Sequence, residues 1–207
     1  NCLRSFARFR PFQKSIEDIW DATNFLIEKT EEIGFNKDQI VLLGSSAGAE
    51  AILHAVYWNK KHLLKDSPSL PEDFQFAGLV SMAGALVDLE LVNEKTAIPS
   101  LFFHGTCDNL VPYASAHHHY CDYDEAGYLM LHGGASLADR MEKLNSPYQL
   151  VTGCSGGHEW AGKPIQEYVD VIAQFIKTTV VEGKFIQTRE IVVQEKECGI
   201  KANVSCK

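Results

Sequence analysis

The chain has 207 residues, 45% of them hydrophobic, which is enough for one sizeable core and one main domain. With 19 basic and 27 acidic residues the formal net charge is −8, and no Lys/Arg stripe is present, so the electrostatic footprint of a nucleic-acid binder is missing. No apolar run approaches the roughly 18 residues of a membrane span, and the opening NCLRSFARFRPF lacks the apolar stretch of a signal peptide.

In chain order, Ser15 to Gly34 reads as one amphipathic helix, with Ile16, Ile19, Trp20, Thr23, Leu26, Ile27 and Ile33 at helical spacing. Ser15 with Asp18 resembles a capping box, and Gly34 a C-cap. Ile40 to Leu43 is a short apolar run ending in glycine, as a buried parallel strand does. Ala47 to Trp58 returns to helix, and Lys60 to Asp73 is a polar loop. Further buried strands are expected at Phe76 to Met82, Pro99 to His104 and Tyr148 to Thr152. A helix from about Ser136 to Leu144 separates the last two, and Pro164 to Val180 closes the domain. Strands alternating with helices predict an α/β class with a mostly parallel sheet flanked by helices. The domain is expected to cover 1–182, with 183–207 as an added strand or C-terminal tail.

Six scattered cysteines, Cys2, Cys107, Cys121, Cys154, Cys198 and Cys206, form no CxxC pair and no dense scaffold, so most are expected to be buried free thiols. The run His117-His118-His119 with Cys121 and Asp122 has no zinc spacing, and adjacent histidines cannot all point one way. It reads as a surface helix start near an active-site rim. No metal or cofactor is expected. Asn203 to Ser205 is a glycosylation sequon, meaningful only in a secreted eukaryotic protein.

The chemistry-bearing stretch is VLLGSSAGAEAIL. Gly44-Ser45-Ser46-Ala47-Gly48 has the form G-x-S-x-G, which holds its central serine on a sharp strand-to-helix turn. Ser46 is central; Ser45 would need glycine at Leu43 and Ala47. Such an elbow predicts an acid and then a histidine, each after a later strand. In LFFHGTCDNLVP the acid candidate is Asp108. In LVTGCSGGHEW the histidine candidate is His158. His104 lies still within its strand, and His54 on the helix after the elbow reads as a core or surface residue. The Ala47 N–H, at the start of that helix, is a candidate oxyanion donor. Ser45, Glu159 and Trp160 are candidates for lining a substrate groove, although a tryptophan there is more often packing.

GSSAGAEA, HGTCDNLVPY and GGHEW, with the helix IEDIWDATNFL before the elbow, resemble the α/β-hydrolases of the bacterial carboxylesterase/lipase type related to feruloyl and acetyl-xylan esterases. The resemblance covers roughly Ser15 to Val180. It implies Ser46 as nucleophile, His158 as general base and then acid, and Asp108 as the residue orienting His158. The implied reaction is hydrolysis of carboxylic esters, acyl, feruloyl or acetyl and with carbohydrate among the alcohols, through an acyl-enzyme. The family has strands before the elbow strand and an HGGG-type oxyanion loop after one of them. Here His132-Gly133-Gly134 follows the nucleophile instead and reads as the start of a helix. A chain that opens without Met and holds one helix before Ile40 is expected to be an N-terminally truncated piece of that fold. The second oxyanion donor is then missing, and Ile40 to Leu43 is left as an apolar edge unless Cys2 to Phe9 pairs with it.

Because Asp108 and His158 must meet, Cys107 and Cys154 are expected within reach of a disulfide joining their loops, which implies an oxidising compartment, periplasmic or secreted. The alternatives are a peptidase of the prolyl-oligopeptidase type, with the same order of residues, and a catalytically silent hydrolase fold that binds a partner.

Overall fold

A computed structural model describes residues 9–58, 69–125, 127–194 and 198. Helix α1 (Phe9–Glu28) is followed by a single turn, α2 (Thr30–Ile33). Then come strand β1 (Val41–Ser45), helix α3 (Ala47–Tyr57), strands β2 (Gly78–Met82) and β3 (Ala85–Leu86), and strand β4 (Ser100–Gly105). Strands β5 (Ser115–His117) and β6 (Met130–Gly133) lead into α4 (Gly134–Lys143) and β7 (Tyr148–Cys154). The chain continues through α5 (Lys163–Glu167), α6 (Val169–Phe175) with a π-helical turn at Ile176–Val181, and β8 (Gln187–Val193).

Five strands form one parallel sheet in the order β1-β2-β4-β7-β8. The segment after Gly183 therefore supplies a full edge strand, in register with β7 from Tyr148↔Gln187 to Cys154↔Val193. A small antiparallel sheet, β3-β6-β5, sits apart from it. The central strand β4 is buried along its whole length, with apolar Leu101, Phe102 and Phe103 between two buried polar residues, Ser100 and His104. Alternation along the strands sorts two cores. Leu79, Phe102 and Leu150 face Leu53, Leu137 and Met141 of α3 and α4. Val80, Leu101, Phe103 and Val151 face Ile172 and Phe175 of α6 and Trp160. Helix α1 lies over α3, where Trp20 Nε1 donates to the Ala55 carbonyl at 2.9 Å. At the other end of the order β1 is the outermost strand among the described residues, with Leu43 45% exposed.

The first helix begins six residues earlier than its capping signal indicates. Ser15 lies inside α1 and donates to the Phe12 carbonyl at 2.9 Å, so the same hydroxyl that could cap a helix here bonds back along one. Gly34 does end the segment, with φ 78° and its N–H on the Thr30 carbonyl. The closing helix is broken at Tyr168 into α5 and α6. His132 ends up on β6, and Gly133 stands at the N-cap of α4. Cys2, the strand considered for Cys2 to Phe9 apart from Phe9, which opens α1, most of the polar loop and the sequon lie outside the described residues. No helix among the described residues is long and apolar enough to cross a membrane.

The turn from β1 to α3 depends on one glycine more than the other. A Cβ at Gly44 would run into the backbone carbonyl of Gly48, whereas a Cβ at Gly48 would meet nothing within 4 Å. Gly44→Ala is therefore expected to destabilise the fold by about 1–3 kcal/mol or more, because backbone must move to admit the methyl. Gly48→Ala, in the first turn of a helix, is expected to be neutral or slightly stabilising. Urea unfolding of the two variants measures the difference, and equal losses would contradict the packing described.

Candidate active site

Ser46 joins β1 to α3 with φ 51° and ψ −124°, a conformation a non-glycine residue adopts only when its surroundings impose it. Its N–H is held by the Met82 carbonyl at 2.9 Å, and its own carbonyl accepts from Glu50 N–H at 3.0 Å. The side chain is left projecting beyond the C-terminal end of the sheet. Ala47 is the first residue of α3, so its N–H is one of those a helix leaves without an intrahelical acceptor. That N–H and the positive end of the helix can receive an oxyanion.

Ser46 Oγ lies 2.8 Å from His158 Nε2, and His158 Nδ1 lies 2.8 Å from Asp108 Oδ2. The ordered Ser46–His158–Asp108 contact chain is thus brought together from three loops. With Asp108 ionised, Nδ1 carries the proton and Nε2 is the acceptor facing the serine hydroxyl. Asp108 is fully buried. Burial alone would raise its carboxyl, but hydrogen bonds from His104 and His158 outweigh that and hold it well below the usual carboxylate range. Its other oxygen accepts the N–H groups of Leu110 (2.9 Å) and Val111 (3.0 Å), which fix the carboxylate plane. His158 is raised above its ordinary value, chiefly by the hydrogen bond to Asp108, with burial opposing and Glu50 and Glu159 adding to the rise.

The acid turn and the histidine loop are laced together beyond the β4–β7 register. Thr106 N–H bonds the Gly153 carbonyl (2.9 Å), Cys107 N–H the Gly156 carbonyl (2.7 Å), and Ser155 N–H the Thr106 hydroxyl (2.9 Å). Ser45, expected in a substrate groove, instead donates its hydroxyl to the Ala161 carbonyl at 2.6 Å, tying the elbow strand to the histidine loop. Trp160 is a correction too: it is fully buried, its indole fills the space over Gly153 and Gly156, and it cannot line a groove. Glu159 is exposed beside His158 and accepts the Gly157 N–H at 3.0 Å.

Two residues near the acid were missed. His104 Nδ1 accepts the Gly134 N–H at 3.3 Å, so Nε2 carries the proton, donated to Val111 O at 3.1 Å and 3.5 Å from Asp108 Oδ2. Tyr120 donates its hydroxyl to the Asp108 carbonyl at 3.2 Å, and His119 N–H bonds Leu110 O, so the histidine run packs over the acid turn. His104 stands four residues before Asp108 in HGTCD, a spacing that could have marked it. Nothing local marks Tyr120. No group of three metal-ligating side chains is found among the described residues. A cavity of about 460 Å³ between α1, α3 and residues 69–76 takes no lining from Ser46, Asp108 or His158.

These positions meet known proteins at two levels. The BD-FAE family model matches residues 5–96, which contain the elbow. Among solved structures, MGS-M1, an α/β hydrolase from a Medee basin deep-sea metagenome library, superposes with a TM-score of 0.53 at 16% identity over 80% of this chain and 64% of its own. The fold is that of an α/β-hydrolase. A thermophilic esterase from Thermogutta terrifontis with propionate bound gives 0.54 at 17% identity, covering 83% of this chain and 65% of its own. A truncated carbohydrate esterase from gut microbiota gives 0.51 at 13%, covering 78% and 68%. The chain thus spans a little under two thirds of the length of the first two. No curated protein matches it. β1-Ser46-α3 has the strand–turn–helix form of an α/β-hydrolase elbow, and the loops after β4 and β7 carry Asp108 and His158.

The cysteines depart from expectation. Cys107 is bonded to Cys198, with Cα atoms 5.4 Å apart, and not to Cys154. Cys121 and Cys154 are disulfide-bonded as well, so none of the described cysteines is a free thiol. The Cys107–Cys198 bridge spans 91 residues of sequence and anchors the segment beyond β8 to the residue before Asp108. Closing a loop of that length constrains the unfolded chain, and Cys198→Ser is expected to cost about 2–5 kcal/mol. Urea unfolding with and without reductant checks this. A variant as stable as the oxidised parent would show that the bridge constrains nothing.

Proposed function

We propose that the chain is a serine esterase, hydrolysing carboxylic esters of short acyl groups with Ser46 as nucleophile. The observation that carries this is the Ser46 Oγ–His158 Nε2–Asp108 Oδ2 relay, 2.8 Å at each contact, set on an elbow with a helix N-terminus beside it. The Ser46 hydroxyl passes its proton to His158 Nε2 as Oγ attacks the ester carbonyl. Negative charge develops on the carbonyl oxygen next to the Ala47 N–H. His158 then protonates the departing alcohol, and a water molecule, deprotonated by the same nitrogen, releases the acid. Asp108 keeps Nδ1 protonated and stabilises the imidazolium in both halves.

Ester substrates are favoured by the neighbours: one esterase holds propionate, a second structure of it butyrate, and another neighbour acts as a carbohydrate esterase. Short acyl chains, with carbohydrate among the alcohols, are the substrates we infer. The bonded state of the described cysteines supports an oxidising compartment, periplasmic or secreted, as the place of action.

Hydrolysis of p-nitrophenyl acetate and butyrate, set against an aminoacyl-proline anilide, tests the reading. The esters are expected to be cleaved and the anilide not, with Ser46→Ala lowering kcat by about 10⁴-fold or more. His158 must be neutral to act as base. Its raised pKa therefore moves the acid limb of kcat/KM to higher pH than an ordinary imidazole would give, with activity lost as pH falls through it. Asp108→Asn removes the main cause of that rise, so the limb is expected to move down while kcat drops about 10⁴-fold. Cleavage of the anilide alone would favour a peptidase, and Ser46-independent cleavage would remove the mechanism.

A further inference from the structure

Most of the buried face of helix α3 is apolar, with Ala49, Ala51, Ile52, Leu53 and Ala55 packed inside, and His54 and Tyr57 are buried further along. Glu50 breaks the pattern. It is only 6% exposed, and its Oε1 is buried with no hydrogen-bond partner. A carboxylate oxygen left dry and unpaired costs stability, and glutamine or an apolar residue would cost less. Glu50 stands four residues after Ser46 and bonds its N–H to the Ser46 carbonyl at 3.0 Å. Side chains on a helix lean toward its N-terminus and cover the preceding turn, which here is the turn that starts at the nucleophile.

The charged groups acting on Glu50 are, in order, His158 and Asp108, from the two loops that build the relay. On its own helix, buried His54 donates from Nδ1 to the Glu50 backbone carbonyl at 2.6 Å, and burial pushes its imidazole down to about 4, so it is neutral near pH 7. The groups acting on His158 are Asp108, Glu50 and Glu159. Asp108 reaches His158 by a hydrogen bond, Glu159 stands in solvent, and Glu50 acts from inside the protein, where a charge is screened least.

We propose that Glu50 is a second carboxylate serving His158, a positioning residue that stabilises the imidazolium formed when Ser46 gives up its proton. This rests on the esterase reading of the same site. In the acylation step the proton leaves Ser46 Oγ for His158 Nε2, the Oγ electron pair forms the bond to the acyl carbon, and the carbonyl π pair moves onto oxygen. Glu50 exchanges no proton in that step; its charge faces the new imidazolium. Burial pushes its carboxyl up to about 7, against the pull of His158. Glu50 therefore titrates near neutrality, coupled to His158, whose pKa its charge raises. On the alkaline side Glu50 is ionised and His158 neutral, which is the state that starts catalysis. Removing the Glu50 charge lowers the His158 pKa, so the acid limb moves to lower pH while the plateau rate falls.

Wild type, Glu50→Gln, Glu50→Asp and Ser46→Ala are compared on p-nitrophenyl acetate across about pH 5 to 9, with thermal unfolding of each. For Glu50→Gln the acid limb of kcat/KM is expected to move down by about 0.5–1 pH unit and the plateau kcat to fall about 10-fold, with Tm equal to or above wild type. Glu50→Asp is expected to bring the limb back toward wild type. A Ser46-dependent wild type whose Glu50→Gln variant keeps both limb and kcat overturns this inference alone. So does a variant that loses rate and Tm together with the limb unmoved, since that marks a purely structural residue. A wild type without Ser46-dependent hydrolysis overturns the esterase reading, and this inference with it.

Discussion

The site depends on a serine held where a serine does not rest by choice. Ser46 is kept at φ 51° by the Met82 carbonyl on one side and by helix α3 on the other. A conformation of that kind costs on the order of 1–3 kcal/mol and survives only if its surroundings determine it several times over. The close passage of Gly44 against Gly48, the Ser45–Ala161 hydrogen bond and the buried flank of α3 are those determinants. Each fixes the turn from a different direction. The result is an Oγ that projects past the sheet and a helix N-terminus that opens beside it.

The same logic places the partners. Strands β4 and β7 are neighbours in the sheet, so the loops leaving them are forced together, and backbone bonds from Thr106 and Cys107 to Gly153 and Gly156 set their spacing. Trp160 then wedges the histidine loop from inside, packed against Tyr168 with ring centroids 5.6 Å apart. The Cys107–Cys198 bridge adds a covalent hold on the acid turn. Stability is given up at a few points in this arrangement. Among the described residues Glu50 Oε1, His54 Nε2, Trp160 Nε1 and Thr179 Oγ1 are buried without a hydrogen-bond partner, and two of these residues, Glu50 and Trp160, belong to the elbow helix and the histidine loop.

Much of this was legible in the chain because each part has a local signature. The elbow shows as an apolar strand, a G-x-S-x-G turn and a helix. Asp108 and His158 each follow a buried strand in a turn-rich loop, and the order of the three is set by the fold. What was not legible depends on distance. Cys107 looked free, or paired with Cys154, because Cys198 lies 91 residues away on a segment whose course cannot be read locally. Trp160 looked like a groove residue because it adjoins His158, but the cavity it fills is made by two glycines that have to be seen in space. Ser15 misled because a hydroxyl bonded to the i−3 carbonyl and a hydroxyl capping a helix have the same sequence neighbourhood. Glu50 was hidden inside a helix read only for its position after the elbow, and His104 inside a strand expected to be buried.

In the proposed mechanism the elbow and the relay together make Ser46, and no other hydroxyl, nucleophilic. Labelling with a fluorophosphonate probe, followed by peptide mass spectrometry, tests it most directly. One label per chain is expected, on Ser46, formed rapidly in the wild type and slowed by orders of magnitude in His158→Ala. A label on Ser45 or Ser115, or labelling of Ser46 at the same rate without His158, would contradict it.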